Sequence, residues 1–123
     1  MFVIVIQLKT MAKPFVLEIC IDSIESAISA INGGAHRLEV CLSLKDDGVT
    51  PSNGLLLAIR DYLKKRDLLD RVQLFAMIRR GGDFCYSEAE VNQMKLEINA
   101  LKGLVSGKCQ DCFYTYKKPS KSV

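Results

Sequence analysis

The chain has 123 residues, about half of them apolar and a quarter charged, with a formal net charge of +3. That length supports one domain with its own core, and the balance is that of a soluble globular protein. Five lysines and one acid follow from Lys102 onward, leaving twelve basic and thirteen acidic residues in Met1 to Leu101; a body this close to neutral gives no support to a nucleic-acid footprint.

Met1 to Ile6 is apolar but far too short to span a bilayer, and it lacks the basic start and cleavage site of a secretory signal. The expectation is a cytoplasmic protein, or a nuclear one, without a membrane partner. Its five cysteines should then be mostly reduced. Phe2 to Ile6 is an optional extra strand, Met11-Ala12-Lys13 reads as a second start, and residues 1–12 are assigned to an N-terminal extension.

After Pro14, Phe15 to Cys20 reads as the first strand. Asp22 or Ser23 caps a helix with Glu25 in its first turn. Ile24, Ala27, Ile28 and Ile31 form one apolar face at i, i+3, i+4 and i+7, and Asn32-Gly33-Gly34 ends it. Arg37 to Cys41 is the second strand, followed by a polar loop from Ser43 to Val49. Thr50-Pro51 predicts a cap and first position for a second helix over Pro51 to Arg66, with Leu55, Leu56, Ile59 and Leu63 inward. Val72 to Ile78 is nearly all apolar, as a strand covered on both faces would be. After the loop Arg79 to Phe84, Ser87-Glu88-Ala89-Glu90 is a capping box opening a third helix with Val91, Met94, Ile98 and Leu101 at helical spacing. Gly103 to Gly107 reads as a stub of a fourth strand. The order β-α-β-α-β-α argues an α/β fold with a parallel sheet: three to four βα units of a partial TIM-type barrel, or half of a doubly wound sheet without its glycine-rich phosphate loop. The domain is set at residues 13–101, with 102–123 a divergent basic tail.

One phrase occurs twice: Leu17-Glu18-Ile19-Cys20 and Leu38-Glu39-Val40-Cys41. Alternate strand residues share a face, so Glu18 and Cys20 point one way, as do Glu39 and Cys41. A strand–helix–strand unit makes parallel neighbours about 4.8 Å apart. Two thiols and two carboxylates are therefore expected side by side, at equal height, near the carboxyl ends of the strands, where such sheets keep their sites.

These residues resemble the CutC copper-homeostasis family. The resemblance runs through Leu17 to Ser23, Gly33 to Cys41, Gly48 to Ser52, Met77 to Phe84 and Tyr86-Ser87, spanning roughly Pro14 to Leu101. His36 stands where the family usually has aspartate, the proline it usually has between Arg79 and Arg80 is missing, and the family barrel continues past the end of this chain. The resemblance implies a TIM-type barrel, a cytoplasmic protein and copper handling, with Cu(I) held by Cys20 and Cys41. Cu(I) is soft and prefers thiolate or thioether ligands, and binding deprotonates the thiols. Against this stand two small buried hydrophobes, or a disulfide.

Glu18, Glu39, Arg37, Arg79 and Asp83 are expected to gather near the strand ends. They form either a polar pocket for a small anion or acid–base work, or a charge-balanced interior in which the two glutamates pair with Arg37 and Arg79. His36 belongs at the opposite end of its strand, away from the cysteines. Gly81-Gly82 reads as a plain turn rather than a phosphate cradle, Cys109-x-x-Cys112 as an incidental tail feature rather than half a zinc site or a redox pair, and Met77 and Met94 as core rather than copper ligands. Three functions compete: a Cu(I) buffer or carrier, a small-molecule enzyme using Glu18, Glu39 and Arg79, and a truncated, non-functional isoform. The open sheet edges of such a piece invite homo-oligomers.

Overall fold

The computed structural model describes residues 15–82 and 85–105. Residues 1–12, Asp83, Phe84, Cys109 and Cys112 lie outside the described residues, and with them the expected N-terminal strand and most of the basic tail. Three short strands alternate with three helices: β1 (Glu18–Ile21), α1 (Ile24–Asn32), β2 (Arg37–Val40), α2 (Asn53–Lys65), β3 (Gln73–Ala76) and α3 (Glu88–Leu101). Among the described residues the three strands pair in parallel, in the order β1-β2-β3, with an isolated antiparallel bridge between Leu42 and Val49.

Each helix begins where the chain supplies a hydroxyl. Ser23 caps α1 and Ser26 reaches back, closing a capping box. Ser87 and Glu90 do the same for α3. The start of α2 differs from expectation. Ser52, not Thr50, accepts from the Leu55 backbone N–H, because the Thr50 hydroxyl is engaged elsewhere. It accepts from the Arg79 backbone N–H at 2.9 Å and donates to the Arg79 carbonyl at 3.0 Å. Thr50 thus ties the segment before α2 to the segment after β3. Gly103 to Val105 form no fourth strand; Leu104 and Val105 return N–H groups to the Leu101 carbonyl and close the end of α3.

The helices cover one face of the sheet. Ile21, Leu38, Val40, Leu74 and Ala76 from the strands share one core with Ala27, Ala30, Leu56, Ile59, Leu63, Met94 and Leu101 from the helices. The opposite face carries Glu18 and Cys20 on β1, Arg37, Glu39 and Cys41 on and just after β2, and Phe75 and Met77 on and just after β3. Met94 is core, as expected; Met77 stands outside that core on the polar face. Among the described residues, no helix is long and apolar enough to cross a membrane.

Candidate functional site

The register decides which side chains meet. Glu18 lies level with Arg37, Cys20 with Glu39, and Ile21 with Val40. The two copies of the repeated phrase are therefore offset by two residues, and the expectation of cysteines at equal height is corrected. The ladder continues beyond the strand ends. The Cys41 N–H donates to the Ile21 carbonyl at 3.0 Å, and the Met77 N–H to the Val40 carbonyl at 2.9 Å. Cys41 is thus flanked by Asp22 and by Met77. Because the offset is even, both thiols keep the same face, and they sit diagonally, each beside a carboxylate.

The charges on this face are organised around Arg37. It pairs with Glu18 and lays its guanidinium 4.5 Å from the centre of the Phe75 ring, a cation–π contact. Glu39 is left beside Glu18 and Cys20. Burial, then the Glu18 charge and a hydrogen bond with Glu18, raise its carboxyl above the usual range, while Cys20 and Arg37 pull it back. Glu18, Arg37, Glu39, Phe75, Ala76, Met77 and Ile78 line a cavity of about 250 Å³.

Both thiols are pushed up. Cys20 rises to about 11, first through burial, then through the charges of Glu39 and Glu18. It is an exposed residue, so solvent moderates that push. Cys41 rises to about 12, first through burial, then through Cys20, Asp22 and Glu39. It is fully buried, and its Sγ lies 3.4 Å from the Ile21 carbonyl it donates to. Both are free thiols and, at neutral pH, protonated. Asp22 also accepts from the Leu44 N–H at 3.0 Å, fastening the 43–49 loop beside Cys41.

Not every expected residue joins this group. Arg79 is buried and is not among the residues lining the cavity. Its guanidinium donates to the carbonyls of Asp46 (2.9 Å), Gly48 (2.7 Å) and Gly82 (2.7 Å). It holds two loops together, which a planar five-donor fork does well, and it pairs with neither Glu18 nor Glu39 in the way the charge-balanced reading required. Asp83 lies outside the described residues. His36 sits at the amino end of its strand, where Nδ1 accepts from the Leu17 N–H at 3.0 Å. Among the described residues, no cluster of three or more His, Cys, Asp or Glu is disposed to hold a metal ion.

Sequence reasoning set Met77 in the core, whereas it lies outside the core and lines the cavity. The available signal was the alternation through Gln73 to Ile78, which places Phe75 and Met77 together, opposite Leu74, Ala76 and Ile78. Reading the stretch as apolar on both faces hid it.

A parallel sheet in sequential order, helices packed on one side and a polar, thiol-bearing face on the other, is a segment of a TIM-type (β/α) barrel. The chain belongs to the CutC family, which matches residues 15–110. It is 44% identical over 93 residues to a copper homeostasis protein cutC homolog of Dictyostelium discoideum, covering 75% of this chain and 32% of that protein. It is 42% identical over 102 residues to the human protein of the same name, covering 78% and 35%. The crystal structure of a CutC protein from Streptococcus agalactiae superposes with a TM-score of 0.61 at 28% identity, over 72% of this chain and 41% of that one. The chain spans about a third of the length of the curated relatives it matches.

Proposed function

We propose that this chain acts in copper homeostasis in the cytoplasm, binding Cu(I) between the sulfurs of Cys20 and Cys41 for buffering or delivery. The relatives named above are copper homeostasis proteins. The observation that carries the reading is the shared face: two free thiols on neighbouring strands, each beside a carboxylate. The donor set suits the ion. Thiolates are soft enough for Cu(I), and Glu18, Glu39 and Asp22 give the surroundings a negative charge that favours any cation. The same carboxylates and burial keep the thiols protonated, so loading must displace two protons, and Cys41 must turn its Sγ from the Ile21 carbonyl.

The test is an anaerobic Cu(I) titration with reductant present. Cys20→Ser and Cys41→Ser should each cut the stoichiometry or affinity sharply. A double variant that binds as the parent does ends the proposal. One observation favours a second reading, an enzyme acting on a small molecule: Glu18 and Glu39 share a cavity, and Glu39 holds its proton above the usual range. Arg79 drops out of that reading because carbonyls occupy its guanidinium. Ligand binding that survives removal of both cysteines but is lost in Glu39→Gln would select it.

A further inference from the structure

Beside the 43–49 loop, two sulfurs converge on one point of backbone. A β-carbon placed on Gly48 would lie 2.9 Å from Met77 Sδ and 3.2 Å from Cys41 Sγ. Gly48 is buried, with φ +80°, so glycine meets both a conformational and a spatial demand there. The convergence follows from the ladder, which carries on past Val40 and Ala76 and sets Cys41 and Met77 side by side. Met77 is not part of the core under the helices. It is partly exposed and lines the cavity with Glu18 and Glu39. Cys41, by contrast, is fully buried. A thioether on a flexible unbranched chain therefore lines the cavity and, with the buried thiol, borders Gly48. Thioether sulfur is a soft, neutral donor that needs no deprotonation, which suits Cu(I).

We infer that Met77 is a third sulfur ligand, completing with Cys20 and Cys41 a three-sulfur Cu(I) site at the carboxyl end of the sheet. This rests on the two-thiol reading above and adds the cavity-lining residue beside Cys41. The concave inner face of a barrel segment turns side chains from neighbouring strands toward one another, and Met77 has the reach to close the third side.

The test uses the full chain with Cys85, Cys109 and Cys112 changed to serine, so that no other thiol competes. Cu(I) affinity is measured by competition with a chromogenic chelator, and the copper environment by X-ray absorption. The parent should show three sulfur neighbours. Met77→Leu, which keeps the volume, should show two and bind at least the roughly tenfold more weakly that loss of even an outer-shell partner costs. In protein carrying selenomethionine, the selenium edge should show copper beside selenium, and Met77→Leu should abolish that signal although Met1, Met11 and Met94 remain. Unchanged affinity and sulfur number in Met77→Leu overturn the inference and leave the two-thiol site standing. Weakened binding with no copper beside selenium also overturns it, assigning Met77 a packing role. Parent-like binding in Cys20→Ser or Cys41→Ser removes both proposals together.

Discussion

Cu(I) affinity should climb steeply with pH, and the slope reports how many protons the site surrenders. Burial, helped by Glu39 and Glu18, holds Cys20 at about 11; burial, helped by Cys20, Asp22 and Glu39, holds Cys41 at about 12. Well below pH 11 both are thiols, and an ion bound by two thiolates releases two protons. The apparent binding constant should then rise about tenfold per proton per pH unit, hence about a hundredfold per unit and about ten-thousandfold between pH 7 and pH 9. An unperturbed cysteine titrates near 8.5, so a site made from ordinary surface thiols, such as those of the tail, would flatten above that point. The assay is anaerobic competition against a Cu(I) chelator that does not itself titrate above pH 7, read at half-unit steps to pH 10. A slope of two that holds past pH 9 supports the paired, proton-holding thiols. A slope of one, or a bend near pH 8.5, shows that the ion sits on other sulfurs or on one of these alone.

Apo-protein stability should move the opposite way. Cys41 ionises at about 12 in the fold against 9.0 for a free thiol, so its contribution is intact below pH 9 and is lost as pH rises toward 12. At full ionisation the loss approaches about 4 kcal/mol. Urea unfolding at pH 8.5 and pH 11 should show the decline, and Cys41→Ala should blunt it. Glu39→Gln removes a charge that raises both thiols. Alkylation of Cys20 by iodoacetamide at pH 8 should speed up by about threefold for each unit its pKa falls; an unchanged rate would mean that Glu39 is protonated or turned away. Arg79→Met should destabilise the chain by about 3 kcal/mol, because three carbonyl partners lose a charged donor. Arg79→Lys should recover only part, since a compact ammonium lacks the planar spread of donors that reaches both loops; a loss below about 1 kcal/mol in the methionine variant contradicts the clamp.

The elements were legible where local chemistry alone decides them. The apolar spacing of Leu55, Leu56, Ile59 and Leu63 gave the buried face of α2, and the Ser87–Glu90 box gave the start of α3. Errors fell where a distant partner intervenes. Thr50 is a good cap by type, but Arg79, far along the chain, takes both functions of its hydroxyl. Arg79 itself could be counted as a buried cation from sequence. That its partners are carbonyls of Asp46, Gly48 and Gly82 depends on how two loops fold toward each other. The thiols, the carboxylates and their common face were legible because a strand has period two. Their relative height was not.

That height is where the repeated phrase misled. Identical words on neighbouring strands suggest identical levels, yet a closing barrel must stagger its strands, and any stagger that keeps inward residues inward comes in steps of two. The observed offset is one such step. Its chemical consequence is large. At equal height the two thiols would face each other directly, within the span of a disulfide. Displaced by two residues, their Cα atoms stand about 8 Å apart, from strand spacing and rise, beyond the roughly 7 Å a disulfide bridges. Carboxylates occupy the neighbouring positions instead. An ion shared by two sulfurs needs a longer reach than an S–S bond, since two metal–sulfur bonds replace one sulfur–sulfur bond. The same displacement that disfavours oxidation is therefore the one that suits a shared cation, while the separate register of β2 and β3 sets Cys41 level with Met77.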